Sequence, residues 1–209
     1  IKINPDYAVA YSNRGNVLQE LKRFDEALNS YDQAIKINPD YAEAHYNRGV
    51  ILQELKCLDE ALNSYDQAIK INPDYTEAYS DRGVALKKLK RLNEALNSYD
   101  QAIKINPDYA VAYSNRGNVL QELKRFDEAL NSYDQAIKIN PDYAEAYYNR
   151  GNTLKELKRF DEALNSYDQA IKINPDYAEA YYNHGTILQE LKRLDEALNS
   201  YDQAIKINP

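Results

Sequence analysis

The sequence predicts an all-α solenoid, and three observations predict it. Prolines stand at Pro5, Pro39, Pro73, Pro107, Pro141, Pro175 and Pro209, each preceded by Asn and each 34 residues from the last. Glycines keep the same 34-residue interval at Gly15, Gly49, Gly83, Gly117, Gly151 and Gly185, so every Pro and Gly belongs to one pattern. Self-similarity at this period marks an array of units, none of which can bury its apolar face without a neighbour. Within each period apolar residues fall twice at helical spacing, which makes the unit a pair of helices.

Residues 1–7 read as the end of a preceding repeat, followed by units at 8–41, 42–75, 76–109, 110–143, 144–177 and 178–209. In the first unit Tyr11, Arg14, Leu18 and Leu21 are spaced to line one side of a first helix, here called helix A. Lys22, Arg23 and Phe24 form the connection, and Asp25 is placed to cap a second helix, helix B. Ala27, Leu28, Tyr31, Ala34 and Ile35 give helix B its apolar side. Asn38-Pro39 ends it, because the residue before proline is pushed out of the α region. Asp40 is then expected to cap the next helix A, with Glu43 completing a capping box, as in Asp74/Glu77, Asp142/Glu145 and Asp176/Glu179. Val9 and Val111 leave that box half-made in two units. Gly15 lies inside helix A, where glycine costs about 1 kcal/mol relative to alanine. Its recurrence calls for close approach of the two helices, with Ala27 and Tyr31 opposite.

The pattern Tyr11-x-x-Arg14-Gly15-x-x-Leu18, then Ala27-x-x-x-Tyr31, then Pro39, resembles the tetratricopeptide repeat, in six copies over the whole chain. The resemblance implies a right-handed superhelical α-solenoid of six helix-turn-helix repeats, with the A helices lining a concave groove where ligands lie. Two residues depart from the family pattern: Tyr11 replaces Trp and Arg14 replaces Leu. A guanidinium on a packing face needs a partner, since an unpaired buried charge is costly. Arg14, Arg48, Arg82, Arg116 and Arg150 are therefore expected to bond a helix-B aspartate, Asp32 or its equivalents, of the same or the preceding unit.

Composition excludes several functions. The net charge is −7 and the pI near 5.0, with the charge spread along the repeats, which argues against binding nucleic acid or an anionic membrane surface. No segment is apolar enough to cross a membrane, and no signal-like N-terminus is visible. Cys57 is the single cysteine and stands where other units carry Arg23, Arg91, Arg125, Arg159 and Arg193. The chain has no Met and opens on the tail of a repeat, as expected of a piece of a longer array. His45 and His184 occupy packing columns and have no ligand or dyad partner at suitable spacing. With no phosphate loop, nucleophile motif or metal constellation, the expectation is a protein that is not an enzyme and carries no metal or cofactor.

The candidate site follows from where repeats differ. Helix B reads EALNSYDQAIKINP in all six units, and residues 1–44 are identical to 103–146. Changes gather in helix A, in the columns of Val9, Ser12, Asn16, Gln19 and Glu20, and the first four form one stripe expected on the solvated groove face. Beside it runs the column Asn13, Asn47, Asp81, Asn115, Asn149 and Asn183. Asn is a poor helix former, but its carboxamide donates and accepts at once. The segment AYSNRGN resembles the arrays of O-linked N-acetylglucosamine transferases, whose asparagine ladder holds peptide backbone. That resemblance implies main-chain contacts at these six positions and at a second row of Asn16, Asn118 and Asn152. The rival role for this column is to bridge helix A to its neighbour. Selectivity is expected from Tyr46, Tyr148 and Tyr182 and from the basic pair Lys87 and Lys88. The expected partner is an extended peptide or a protein. Two further roles are a substrate-recruiting arm of a larger enzyme and head-to-tail self-association through the last helix B.

Overall fold

The computed structural model describes residues 6–208, which form twelve α-helices and no strand. They are α1 (Asp6–Glu20), α2 (Phe24–Ile37), α3 (Ala42–Glu54), α4 (Leu58–Ile71), α5 (Thr76–Lys88), α6 (Leu92–Ile105), α7 (Ala110–Glu122), α8 (Phe126–Ile139), α9 (Ala144–Glu156), α10 (Phe160–Ile173), α11 (Ala178–Glu190) and α12 (Leu194–Ile207). Odd numbers are A helices and even numbers B helices. The chain divides into two compact units, residues 1–107 and 108–209, each holding three helix pairs.

In the first unit α1 packs on α2, α3 on α4 and α5 on α6, and successive pairs meet through α2–α3 and α4–α5. The A helices also touch one another, α1 with α3 and α3 with α5. The second unit repeats this order from α7 to α12. Such neighbour-only packing is that of an α-solenoid. The core runs between the two helices of a pair: Ala27, Tyr31 and Ala34 and their counterparts through α10 are fully buried. Tyr31 rests on Gly15, where an added Cβ would lie 2.5 Å from a ring carbon, and the contact recurs at 2.6 Å for Gly117 on Tyr133. Glycine is therefore the residue that admits the tyrosine ring.

Helix A buries one column that the spacing argument passed over, Ile51, Ala85, Val119, Thr153 and Ile187. Leu21, Leu55 and Leu191, expected in the packing stripe, are exposed instead. They sit where the chain leaves helix A. The turn there is a Schellman motif: in the first repeat the N–H of Arg23 bonds Leu18 O at 2.8 Å and that of Lys22 bonds Gln19 O at 2.9 Å. The motif needs a left-handed residue, and lysine fills it in every repeat, with φ from 57° at Lys22 to 63° at Lys56. Glycine is the residue this conformation favours.

The expected caps are corrected. Helix B begins one residue early, at Phe24, so Asp25 falls in its first turn and the N-cap is Arg23, which makes no side-chain capping bond. Asp25 still favours the helix through the dipole. Arg23 reaches forward to Glu26 in a bidentate pair, 2.7 Å at each contact, and Arg91, Arg125, Arg159 and Arg193 do the same. Asp40 does not cap α3, whose N-cap is Tyr41. Pro39 and Asp40 lie in the turn itself, and the Asn38 side chain holds it by accepting the Asp40 N–H at 3.2 Å. Asn72, Asn140 and Asn174 act likewise on Asp74, Asp142 and Asp176.

At Arg48, Arg82 and Arg150 the arginine column behaves as expected and does more, whereas Arg14 is held by a serine instead of an aspartate. Arg48, Arg82 and Arg150 donate from Nε to Asp32, Asp66 and Asp134 of the preceding helix B, at 2.8, 2.6 and 2.7 Å. Their Nη1 also donates to a serine of their own helix B, Ser64, Ser98 or Ser166, and Arg14 and Arg116 bond Ser30 and Ser132 in the same way. His184 takes the same place, with Nδ1 at 3.0 Å from Ser200 and Nε2 at 3.3 Å from Asp168. Arg48, Arg82, Arg150 and His184 thus each tie three helices together.

Candidate functional site

Because neighbouring A helices touch within each unit, the varied stripe is divided: its Val9 column is exposed in every repeat, as expected, while the Ser12 and Asn16 columns lie along the edge between neighbours. Ser12, Ser80 and Ser114 are buried, and where a tyrosine replaces them it bridges to the next repeat. The Tyr46 hydroxyl donates to Asp81 Oδ2 at 2.8 Å, and its ring lies 4.9 Å from that of Tyr75 and 6.0 Å from that of Tyr65. Tyr148 is stacked equivalently between Tyr177 and Tyr167, and its hydroxyl accepts from Asn183 Nδ2 at 3.1 Å. Tyr182 is 56% exposed, with one aromatic neighbour, Tyr201 at 5.9 Å.

The second asparagine row faces the buried tyrosine of helix B. Asn16, Asn118 and Asn152 accept the hydroxyl protons of Tyr31, Tyr133 and Tyr167, each at 2.8 Å. Where this row carries Val50 and Val84, the hydroxyls of Tyr65 and Tyr99 are buried without a partner. Gln53 Oε1 is likewise buried and unpartnered, although Gln19 accepts from Tyr31 at 3.3 Å. Burial pushes the Tyr31 phenol up to about 12 and raises those of Tyr65 and Tyr99 further, the latter two with a contribution from the Asp81 charge.

The first row links neighbouring repeats. Asn47 Nδ2 donates to Asn16 Oδ1, and Asn183 Nδ2 to Asn152 Oδ1, both at 3.1 Å. The bridging role therefore accounts for part of the column's hydrogen-bonding capacity. Asn183 is spent most fully, since its Oδ1 also accepts from Lys155 Nζ at 3.3 Å. Asn13 is exposed, Asn149 is half-buried, and neither carboxamide has a side-chain partner among the described residues. Asn115 likewise has none within its own unit. Asn16, Asn118 and Asn152 spend their oxygens, and their NH2 groups remain as donors. Asp81 alone in the row is acidic; burial raises its carboxyl above the usual range, against the Tyr46 hydrogen bond that lowers it.

Lys87 is half-buried and Lys88 exposed at the end of α5. The sequence argument missed Lys155, which occupies the Lys87 column in the second unit and bonds Asn183 and Thr186 Oγ1, the latter at 3.2 Å. The common column was the available signal. Two depressions of about 300 and 250 Å³ lie elsewhere, around Arg48 with Asp32 and Arg150 with Asp134. Among the described residues no group of His, Cys, Asp and Glu is arranged to hold a metal, and no helix is long and apolar enough to cross a membrane.

Comparisons with known proteins agree with this architecture. A family model described as TPR repeat matches residues 20–56, 85–124 and 117–158. Models described as tetratricopeptide repeat match 42–75, 144–177 and 178–209, and 64–97. No match to the chain is found among curated proteins. Among solved structures, YrrB, a TPR protein described as having an unusual peptide-binding site, is 26% identical, with a TM-score of 0.68 over 86% of this chain and 92% of that one. PilF of Pseudomonas aeruginosa is 18% identical, with a TM-score of 0.85 over 98% of this chain and 93% of that one. MamA is 24% identical, with a TM-score of 0.71 over 76% and 93%. What these comparisons carry is the repeat, and the finer likeness to glycosyltransferase arrays rests on the AYSNRGN segment alone. With helix pairs, glycine–tyrosine contacts and family models in one register, the chain belongs to the tetratricopeptide repeat family.

Proposed function

We propose that the protein is an interaction scaffold whose A helices bind an extended peptide segment of a partner through its main chain. The observation that carries this reading is the unspent capacity of the asparagine rows. Asn13, Asn115 and Asn149 keep whole carboxamides, Asn47 keeps its oxygen, and the second row keeps NH2 donors. Main-chain N–H and C=O groups of an extended peptide need alternating acceptors and donors, and these rows offer both. The likeness to YrrB supports the reading, since that protein is described by its peptide-binding site.

Six such contacts at about 0.5–1.5 kcal/mol each would give roughly 3–9 kcal/mol before association costs of similar size. Binding through the backbone alone is therefore micromolar at best, and side-chain contacts must add to it. The test is to change Asn47, Asn115 and Asn149 to Ala together and measure binding to an array of synthetic twelve-residue peptides. The reading expects affinity to fall at least tenfold for every binder, with helicity retained. Unchanged binding would remove the asparagines from the function.

A second reading is self-stacking. Leu194, Leu198 and Ile205 of α12 are exposed, whereas on α4 and α10 the faces of the same sequence receive the following A helix. A second copy's α1, whose Val17 is exposed, is the matching surface. Light scattering across a concentration series should then show mass growing with concentration, and a constant monomer mass would dismiss stacking.

A further inference from the structure

We propose that Asp81 reads a basic side chain, lysine or arginine, of the bound peptide. The proposal rests on the peptide-binding reading above and narrows its ligand. Asp81 is the one acid in a row that is otherwise asparagine. A carboxylate can only accept, so it offers a ligand nothing but hydrogen-bond acceptors and negative charge.

The surroundings fit that change. In the neighbouring repeat Asn47 donates to Asn16, which serves as its acceptor. At Asp81 both halves of that bond are replaced, since Val50 stands where the acceptor would be and Asp81 has no N–H to give. Oδ2 takes the neutral Tyr46 hydroxyl; the Lys88 and Glu77 charges act on this carboxylate with opposite sign, and neither is hydrogen-bonded to it. Val84, one turn along α5, leaves its flank apolar, and charge–charge attraction strengthens where water is displaced.

A second observation points to the same place. The hydroxyls of Tyr65 and Tyr99, both fully buried and without a partner, lie within the field of Asp81, and the neighbouring Gln53 Oε1 is also unpartnered. Oxygen atoms without a partner therefore gather around Asp81; the two phenols are buried, so the Asp81 carboxylate is the one a ligand can meet. An ammonium brings three N–H donors and a guanidinium five, and a carboxylate is the acceptor that binds them most strongly.

The test uses acetylated and amidated ten-residue peptides of Ala and Ser with one central Lys, Arg, Gln or Glu, titrated into the full chain at low salt. The Lys and Arg peptides should bind about tenfold more tightly than the Gln peptide, and the Glu peptide more weakly than Gln. Asp81→Asn should erase these differences, and Asp81→Glu should keep them. Equal binding of all four peptides by the unchanged protein, or a preference that survives Asp81→Asn, would overturn the role of Asp81 and leave the asparagine rows standing. If none of the four binds at millimolar concentration, the peptide-binding reading fails with it.

Discussion

Tyr46 in the first unit and Tyr148 in the second occupy one column, lie in the same aromatic stack and point at the same place on the next A helix. Yet the hydrogen bond runs in opposite directions. Tyr46 donates to Asp81, and Tyr148 accepts from Asn183. The Tyr148 proton is therefore left for another acceptor, and the Tyr46 proton is not. Around Asp81 the edge holds surplus acceptors, beside Val50 and Val84. Around Asn183 it holds Lys155 and Thr186 and spare donors. One substitution in a repeated row changes what the edge offers a ligand, while helix B beneath it stays the same.

That contrast can be broken by exchanging its parts. The largest effect is expected at Asn152, which accepts from both Tyr167 and Asn183. Asn152→Val would leave a buried hydroxyl unpartnered and should cost about 2 kcal/mol in chemical denaturation. The reverse change, Val50→Asn, supplies Tyr65 with its missing acceptor and should stabilise by about 1 kcal/mol. A smaller contrast comes from removing the hydroxyls: Tyr133→Phe should cost about 1 kcal/mol, and Tyr65→Phe close to nothing or less. Equal losses at the two tyrosines would show that Asn118 is not the partner that matters.

The smallest effect concerns protonation. Burial raises the Asp81 carboxyl, so its ionised form is disfavoured in the folded chain and opposes folding near neutral pH. The penalty fades as pH falls through the raised value and is absent below the ordinary Asp range, where both states are protonated. Asp81→Asn should therefore raise stability at pH 7 and make no difference in acid, and a gain that grows in acid would reverse the sign argued here.

Much of this architecture was legible because the repeat is. Proline and glycine spacing located every helix pair, and the guanidinium of Arg48 had to find Asp32 because a charge on a packing face cannot stay alone. The caps were misread for a local reason: Asp25 and Asp40 have the right chemistry at the wrong register, and the turn chemistry lies with Asn38 and with Lys22 in a left-handed conformation. The stripe of Ser12 and Asn16 looked solvated because helical periodicity describes one helix and is silent about the next A helix lying against it. Lys155 was missed for the same cause, since its partners Asn183 and Thr186 come from the following repeat.

The most direct measurement follows the side-chain amide NMR signals of Asn13, Asn47, Asn115 and Asn149 while extended peptides of unrelated sequence are added. The account predicts that these carboxamides shift with every binding peptide, whatever its side chains. Binding that moves only groups around Arg48 and Arg150, with the asparagine signals unchanged, would contradict it.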